Sequence, residues 1–203
     1  MPLPLIQIQE QKATLRKTIR SELKQISRDE LASKSMKICG ALESFPLYQQ
    51  SKMIAFFMPL STEPDILPLI KTAVSEGRQC FIPKVNDDGS MDFYALENNR
   101  DFDSQVKKGA FGILEPEDFL QKLDTRNKDF EKQLLMLVPC LAFDKTKNRL
   151  GKGKGFYDKF FQRLNVENTI GVCFDFQLLE ENEIPCEKFD RKVKFVITDE
   201  TIR

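Results

Sequence analysis

The residues best equipped for chemistry lie together in one stretch, Arg149-Leu150-Gly151-Lys152-Gly153-Lys154-Gly155-Phe156-Tyr157-Asp158. Glycine lets a backbone take positive φ and approach an anion closely with its amide turned inward. Lys152 and Lys154 add full charges, and the fork of Arg149 can grip a phosphate at two points. Phe156, Phe160 and Leu164 then recur at i, i+4 and i+8, the apolar stripe of a helix whose N-terminus adds unpaired N–H groups and partial positive charge. Together these features make a polyphosphate cradle. The loop is not a Walker A motif, because no Gly-Lys-Ser/Thr occurs, and its alternating glycines do not match G-x-G-x-x-G. A glycine–lysine surface turn would have the same composition, and Asp158 in the first helical turn would equally complement the helix dipole.

The chain contains no histidine. That removes imidazole acid–base chemistry, histidine-based triads and histidine metal sites, leaving carboxylates, Lys, Arg, backbone amides or an oxygen-held metal. Lys+Arg and Asp+Glu number 31 each, so no overall field attracts nucleic acid or an anionic membrane, and neither is an expected partner. Cys39, Cys80, Cys140, Cys173 and Cys186 form no CxxC pair and are odd in number, against a disulfide framework or zinc site. The opening MPLPLIQIQ lacks a signal peptide's unbroken apolar core, and no run reaches membrane-spanning length. Reduced thiols in a cytoplasmic protein are the expectation.

The elements that must position the loop are readable from periodicity. With 203 residues, 41% of them hydrophobic, residues 1–203 suit one compact domain. Gln7–Ile26 reads as a helix with Ile8, Leu15, Ile19 and Ile26 as its apolar stripe. Lys12, Arg16, Arg20 and Lys24 repeat every four residues on another face. Ser27 and Glu30 form a capping box for a second helix running towards Ser44. Strand Lys52–Phe57, helix Asp65–Ser75, strand Gln79–Ile82, a turn at Asn86–Ser90 and strand Met91–Ala95 follow. The middle is loop-rich, with Gly109, Gly112 and Pro116, then charged from Lys122 to Lys132. Leu134–Val138 is the most apolar run and reads as a central strand extended through Pro139–Asp144. Helix Gly155–Leu164 and strands Thr169–Cys173 and Lys194–Ile197 close the chain. Such alternation predicts a three-layer α/β/α sandwich with a largely parallel sheet.

The order of the short motifs resembles one family. The sequence R-L-G-x-G-x-G-[FY]-Y-D, after Pro139-Cys140-Leu141-Ala142-Phe143-Asp144, is similar to the signature of the 5-formyltetrahydrofolate cyclo-ligases, also called 5,10-methenyltetrahydrofolate synthetases. Lys12-Ala13-Thr14-Leu15-Arg16 looks like their K-x-x-L-R element. Met58-Pro59-Leu60-Ser61-Thr62-Glu63-Pro64 looks like their substrate-side loop. Pro83-Lys84-Val85 and Gly112-Ile113-Leu114-Glu115-Pro116 match two further landmarks in order.

The resemblance implies a fold like the phosphosugar-isomerase and CoA-transferase sandwiches, with N-terminal helices packed on its periphery. It also implies a reaction. The formyl oxygen of 5-formyltetrahydrofolate attacks the γ-phosphate of ATP, N10 closes onto the activated carbon, and phosphate leaves. ATP would be held by Lys12 and Arg16 and by Arg149, Leu150, Gly151, Lys152, Gly153, Lys154, Gly155, Phe156 and Tyr157. Met58 and Glu63 would line the folate pocket beside Gly153–Tyr157, with Glu63 accepting from the pterin's donor edge. Arg149, Lys154 and Tyr157 would serve the chemical step, and Asp158 and Asp190 would meet Mg²⁺. A monomer is favoured. Near the C-terminus the chain departs from the pattern: Phe189 stands where many relatives carry His, and Lys194 where a second acid is common. Asp190 is therefore the weaker metal ligand of the two. A phosphosugar isomerase would use the same cradle without a nucleotide, but it leaves the Lys-x-x-Leu-Arg helix unexplained. A non-catalytic nucleotide- or folate-binding module leaves the intact loop and Asp158 without a task.

Overall fold

The computed structural model describes residues 4–109, 112–187 and 190–203. In chain order its helices are α1 (Leu5–Leu23), α2 (Arg28–Ser44), α3 (Pro46–Gln50), α4 (Leu67–Ser75), α5 (Phe130–Gln133) and α6 (Phe156–Arg163). Its strands are β1 (Met53–Ala55), β2 (Gln79–Val85), β3 (Met91–Ala95), β4 (Val106–Lys108), β5 (Leu114–Pro116), β6 (Leu134–Pro139), β7 (Ala142–Asp144), β8 (Arg149–Leu150), β9 (Asn168–Val172), β10 (Leu178–Leu179) and β11 (Phe195–Ile197).

Six strands form the central sheet in the order β11-β9-β6-β1-β2-β3, parallel throughout except that β3 runs against β2. Period-two alternation sorts its side chains onto two buried faces. Leu135 and Leu137 of β6 join Ile38 and Leu42 of α2 and Leu69 and Ile70 of α4 in one core. Leu134, Met136 and Val138 turn the other way onto Phe160, Phe161 and Leu164 at α6. Burial on both faces explains why β6 reads as an unbroken apolar run. The three layers expected from the sequence are present.

The N-terminal helices divide their work. α2 begins where the Ser27 hydroxyl accepts the Glu30 N–H at 3.2 Å. Far from being peripheral, it supplies two fully buried residues to the main core. α1 packs elsewhere: Ile19 and Leu23 sit with Leu141, Ala142, Leu150 and Ile184 in a third cluster. That cluster lies under a small second sheet, β10-β7-β8.

This small sheet corrects the expected extension of the central strand through Asp144. β6 ends at Pro139, and the chain turns after Cys140–Leu141 into β7, which pairs antiparallel with β8 at Ala142↔Leu150 and Phe143↔Arg149. The Phe143 ring lies so close to Gly171 of β9 that a Cβ there would fall 2.4 Å from it. Glycine at 171 thus lets the second sheet seat on the first. The stretch read as a loop-rich middle also contains a hairpin, with β4 and β5 paired antiparallel.

Candidate active site

The glycine loop joins β8 to α6. Gly153 and Gly155 have φ of 100° and 69°, left-handed values that side chains rarely adopt. Gly155 is the N-cap of α6. Arg149, at the loop's start, is folded inward with its side chain 7% exposed. Its Nη2 donates to Asp158 Oδ1 at 2.7 Å, and its guanidinium lies over the Tyr157 ring at 5.4 Å. Its buried Nε has no hydrogen-bond partner among the described residues.

From α1, Arg16 reaches across and donates from Nε to the Gly151 carbonyl at 2.9 Å. A Cβ on Gly153 would lie 3.7 Å from the same guanidinium. Burial, then Arg20, weakens the hold of Arg16 on its proton, while Asp190 and Glu187 oppose that shift. Lys12 is one turn away and buried, paired with Asp190 and, at 3.3 Å, with Glu187. Glu187 donates its backbone N–H to Asp190 Oδ2 at 2.7 Å. The cationic row read from the sequence is therefore not one face. Each step of four residues advances about 40° around a helix of 3.6 residues per turn. Lys12 and Arg16 fall beside the packed seam of Ile8, Ile19 and Leu23, whereas Arg20 and Lys24 emerge into solvent.

The loop after β1 forms the opposite wall. Glu63 is nearly buried, its Oε2 accepting the Leu60 N–H at 3.0 Å. Its Oε1 lies 2.7 Å from Lys152 Nζ, so the two loops meet through an ion pair. Tyr157 stands between them: burial chiefly, then Glu63, pushes its phenol up, while Arg149 opposes. The buried Cys140 thiol, one residue past β6, is also held well above its usual range. Burial is the main cause, the neighbouring Cys173 the next, and Glu63 and Arg149 contribute opposing charges. The site thus sits at the carboxyl ends of the parallel strands, where open α/β sheets bind ligands.

A sequence model of the 5-formyltetrahydrofolate cyclo-ligase family matches residues 8–199. The chain belongs to that family. It is 29% identical to a probable 5-formyltetrahydrofolate cyclo-ligase of Schizosaccharomyces pombe, over 94% of this chain and 96% of that protein. Against the 5-formyltetrahydrofolate cyclo-ligase of Mus musculus the identity is 28%, covering 94% of each. The solution structure of Aquifex aeolicus 5,10-methenyltetrahydrofolate synthetase superposes with a TM-score of 0.78 at 28% identity, over 95% of this chain and 91% of that one.

Within this family's loop, Arg149, Lys152 and Tyr157 converge with Arg16 and Glu63, while Lys154 is exposed and makes no hydrogen bond or ion pair among the described residues. Met58 is placed differently from a simple pocket residue: it is buried in the main core beneath the Glu63 loop. Phe189 lies outside the described residues. The two expected metal acids enter separate ion pairs, Asp158 with Arg149 and Asp190 with Lys12. Among the described residues no three His, Cys, Asp or Glu side chains gather as a metal cage. A magnesium ion here would have to draw on one or both of these ion-paired carboxylates and otherwise on water and substrate phosphates, a usual mode for that hard cation.

Two contributors escaped the sequence reading. Glu187 shares Lys12 with Asp190, and its only signal is the three-residue spacing to that acid. Asp144 is fully buried and accepts from the Thr146 N–H and hydroxyl, the Asn148 N–H and amide, and the Ile184 N–H. Its carboxylate fixes the turn leading into Arg149 and ties it to the segment before Glu187. The Asp-x-Thr-x-Asn pattern, a common local-turn composition, could have pointed to it.

Proposed function

We propose that the protein converts 5-formyltetrahydrofolate and ATP to 5,10-methenyltetrahydrofolate, ADP and phosphate. The observation that carries this reading is the convergence of Arg16, Arg149 and Lys152 on one glycine loop that faces the buried Glu63 carboxylate. The cations take the polyphosphate, with Lys12 and Lys154 completing the set, and the amides of Gly151, Gly153 and Gly155 approach it closely. Glu63 and the turn at Phe156–Tyr157 receive the pterin, with the buried Met58 backing that wall from the core, the Glu63 oxygens accepting from the pterin's N–H edge. The formyl oxygen attacks the γ-phosphorus and ADP departs. N10 then attacks the formyl carbon, and the C–O bond breaks as phosphate leaves carrying the N10 proton. No protein nucleophile is needed, which suits a chain without histidine.

Catalysis here is positioning and charge neutralisation, the usual demand of phosphoryl transfer. Magnesium, held through Asp158 with a contribution from Asp190, would neutralise charge on the nucleotide's phosphates. Arg149 and Lys154 would stabilise charge on the transferring group, with the Tyr157 ring packed against the Arg149 guanidinium. Residues 1–203 act as one domain and as a monomer, with Arg16 of α1 reaching the glycine loop within the chain. Small molecules are its partners, rather than nucleic acid or membrane. The five cysteines are unpaired, which suits the reducing cytoplasm. No helix among the described residues is long and apolar enough to cross a membrane. Incubation with 5-formyltetrahydrofolate and MgATP should generate methenyltetrahydrofolate absorbance with one ADP per turnover. Nucleotide hydrolysis without folate product would overturn the assignment.

A further inference from the structure

Three cations assigned to phosphate already have carboxylate partners: Lys12 with Asp190 and Glu187, Arg149 with Asp158, and Lys152 with Glu63. The last pair differs in kind. Lys152 belongs to the nucleotide loop and Glu63 to the folate-side loop, so one contact joins groups assigned to different substrates. It is also well shielded. The Glu63 side chain is 7% exposed, and its second oxygen is taken by Leu60. Lys152 Nζ is itself buried and makes no hydrogen bond among the described residues. Among the described residues neither charge has another ion-pair partner.

We propose that the Glu63–Lys152 ion pair is a coupling latch that makes nucleotide and folate bind cooperatively. The inference rests on the assignment of the two loops made above. If nucleotide arrives first, Lys152 turns to phosphate and Glu63 is left as an uncompensated buried carboxylate, an unfavourable state. Folate then meets a carboxylate that is already free and whose charge its N–H edge compensates. If folate arrives first, the argument runs in mirror image with Lys152. The first ligand bears the disruption and the second does not, so each strengthens the other by the same factor.

The test is calorimetric titration of the full chain with the β,γ-imido analogue of ATP and magnesium, with and without saturating 5-formyltetrahydrofolate. The wild-type protein should bind the analogue at least about tenfold more tightly when folate is present, inside the usual span of coupling between sites. In Glu63→Gln the analogue alone should bind more tightly than it does to the wild type, because Lys152 is no longer engaged, and the enhancement by folate should collapse. Lys152→Met should lose the enhancement from the other side. A merely structural role for Glu63 would weaken the analogue's binding instead. Both ligands binding the wild type independently would overturn the latch while leaving the site assignment intact. Enhancement that persists in both variants would also overturn it, because the coupling would then run between the ligands themselves. Failure of the wild type to bind either ligand would sink the latch together with the site.

Discussion

Replacing Arg16 by alanine removes one guanidinium from the heart of the loop. Its Nε donates to the Gly151 carbonyl at 2.9 Å, and the same group lies against the face of Gly153. A hydrogen bond from a charged donor contributes about 1.5–3 kcal/mol. At roughly 1.36 kcal/mol per tenfold in rate, kcat/KM for ATP should fall by about 10- to 150-fold. Folding should survive, because α1 stays docked through Ile19 and Leu23. Arg20 is the internal control: it is exposed and makes no hydrogen bond or ion pair among the described residues. Arg20→Ala should cost only a few tenths of a kcal/mol, less than about twofold in rate. Steady-state ATP kinetics and thermal melting of both variants decide the matter. Equal, small effects at the two positions would show that α1 offers only a solvated face and that the nucleotide is held elsewhere.

Gly153→Ala forces a side chain into φ of 100°, a strain of about 1–3 kcal/mol. The new Cβ meets Arg16 only at ordinary contact distance. The defect should therefore appear as distorted amides, with kcat/KM for ATP falling far more than the melting temperature; unchanged kinetics in a folded variant would refute the cradle. Asp158→Asn removes the partner of Arg149 and the acid proposed above to hold magnesium, so the Mg²⁺ concentration for half-maximal rate should rise by about tenfold or more, and an unaltered magnesium titration would reject that role. Alkaline pH should weaken the fold. Burial pushes the Cys80 thiol up to about 12 from its ordinary 9.0, and Cys39 up to about 11. The unfolded thiols therefore ionise first, and stability present below pH 9 is lost as pH rises towards those values. Urea midpoints should fall as pH rises from about 9 towards 11 and fall less in Cys80→Ala; a flat profile would contradict this.

Much of the scaffold was legible because local signals agreed. β6 was clear from five consecutive apolar residues, α2 from Ser27 and Glu30, and α6 from its glycine start and phenylalanine stripe. The second sheet was not, because its position depends on Phe143 nesting against Gly171, a contact between strands far apart in sequence. The hairpin of β4 and β5 was obscured by Lys107 and Lys108, whose charges hide any apolar alternation. At the site, the glycine loop declared its backbone chemistry but not its partners. Whether Lys12 was solvated or buried turned on the drift of the row around α1 and on acids from Glu187 to Asp190 that only the fold brings near. That Asp190, read as a metal acid, also pairs with Lys12 was equally hidden from the sequence. The meeting of Glu63 with Lys152 was likewise invisible, since nothing local to either residue specifies the other.

The central claim is that the formyl oxygen itself becomes phosphorylated. It is tested most directly by supplying 5-formyltetrahydrofolate labelled with oxygen-18 in the formyl group, together with MgATP, and analysing the released phosphate by mass spectrometry. One labelled oxygen should appear in each phosphate, in step with methenyltetrahydrofolate. Unlabelled phosphate, with the heavy oxygen recovered in water or in folate, would contradict the account.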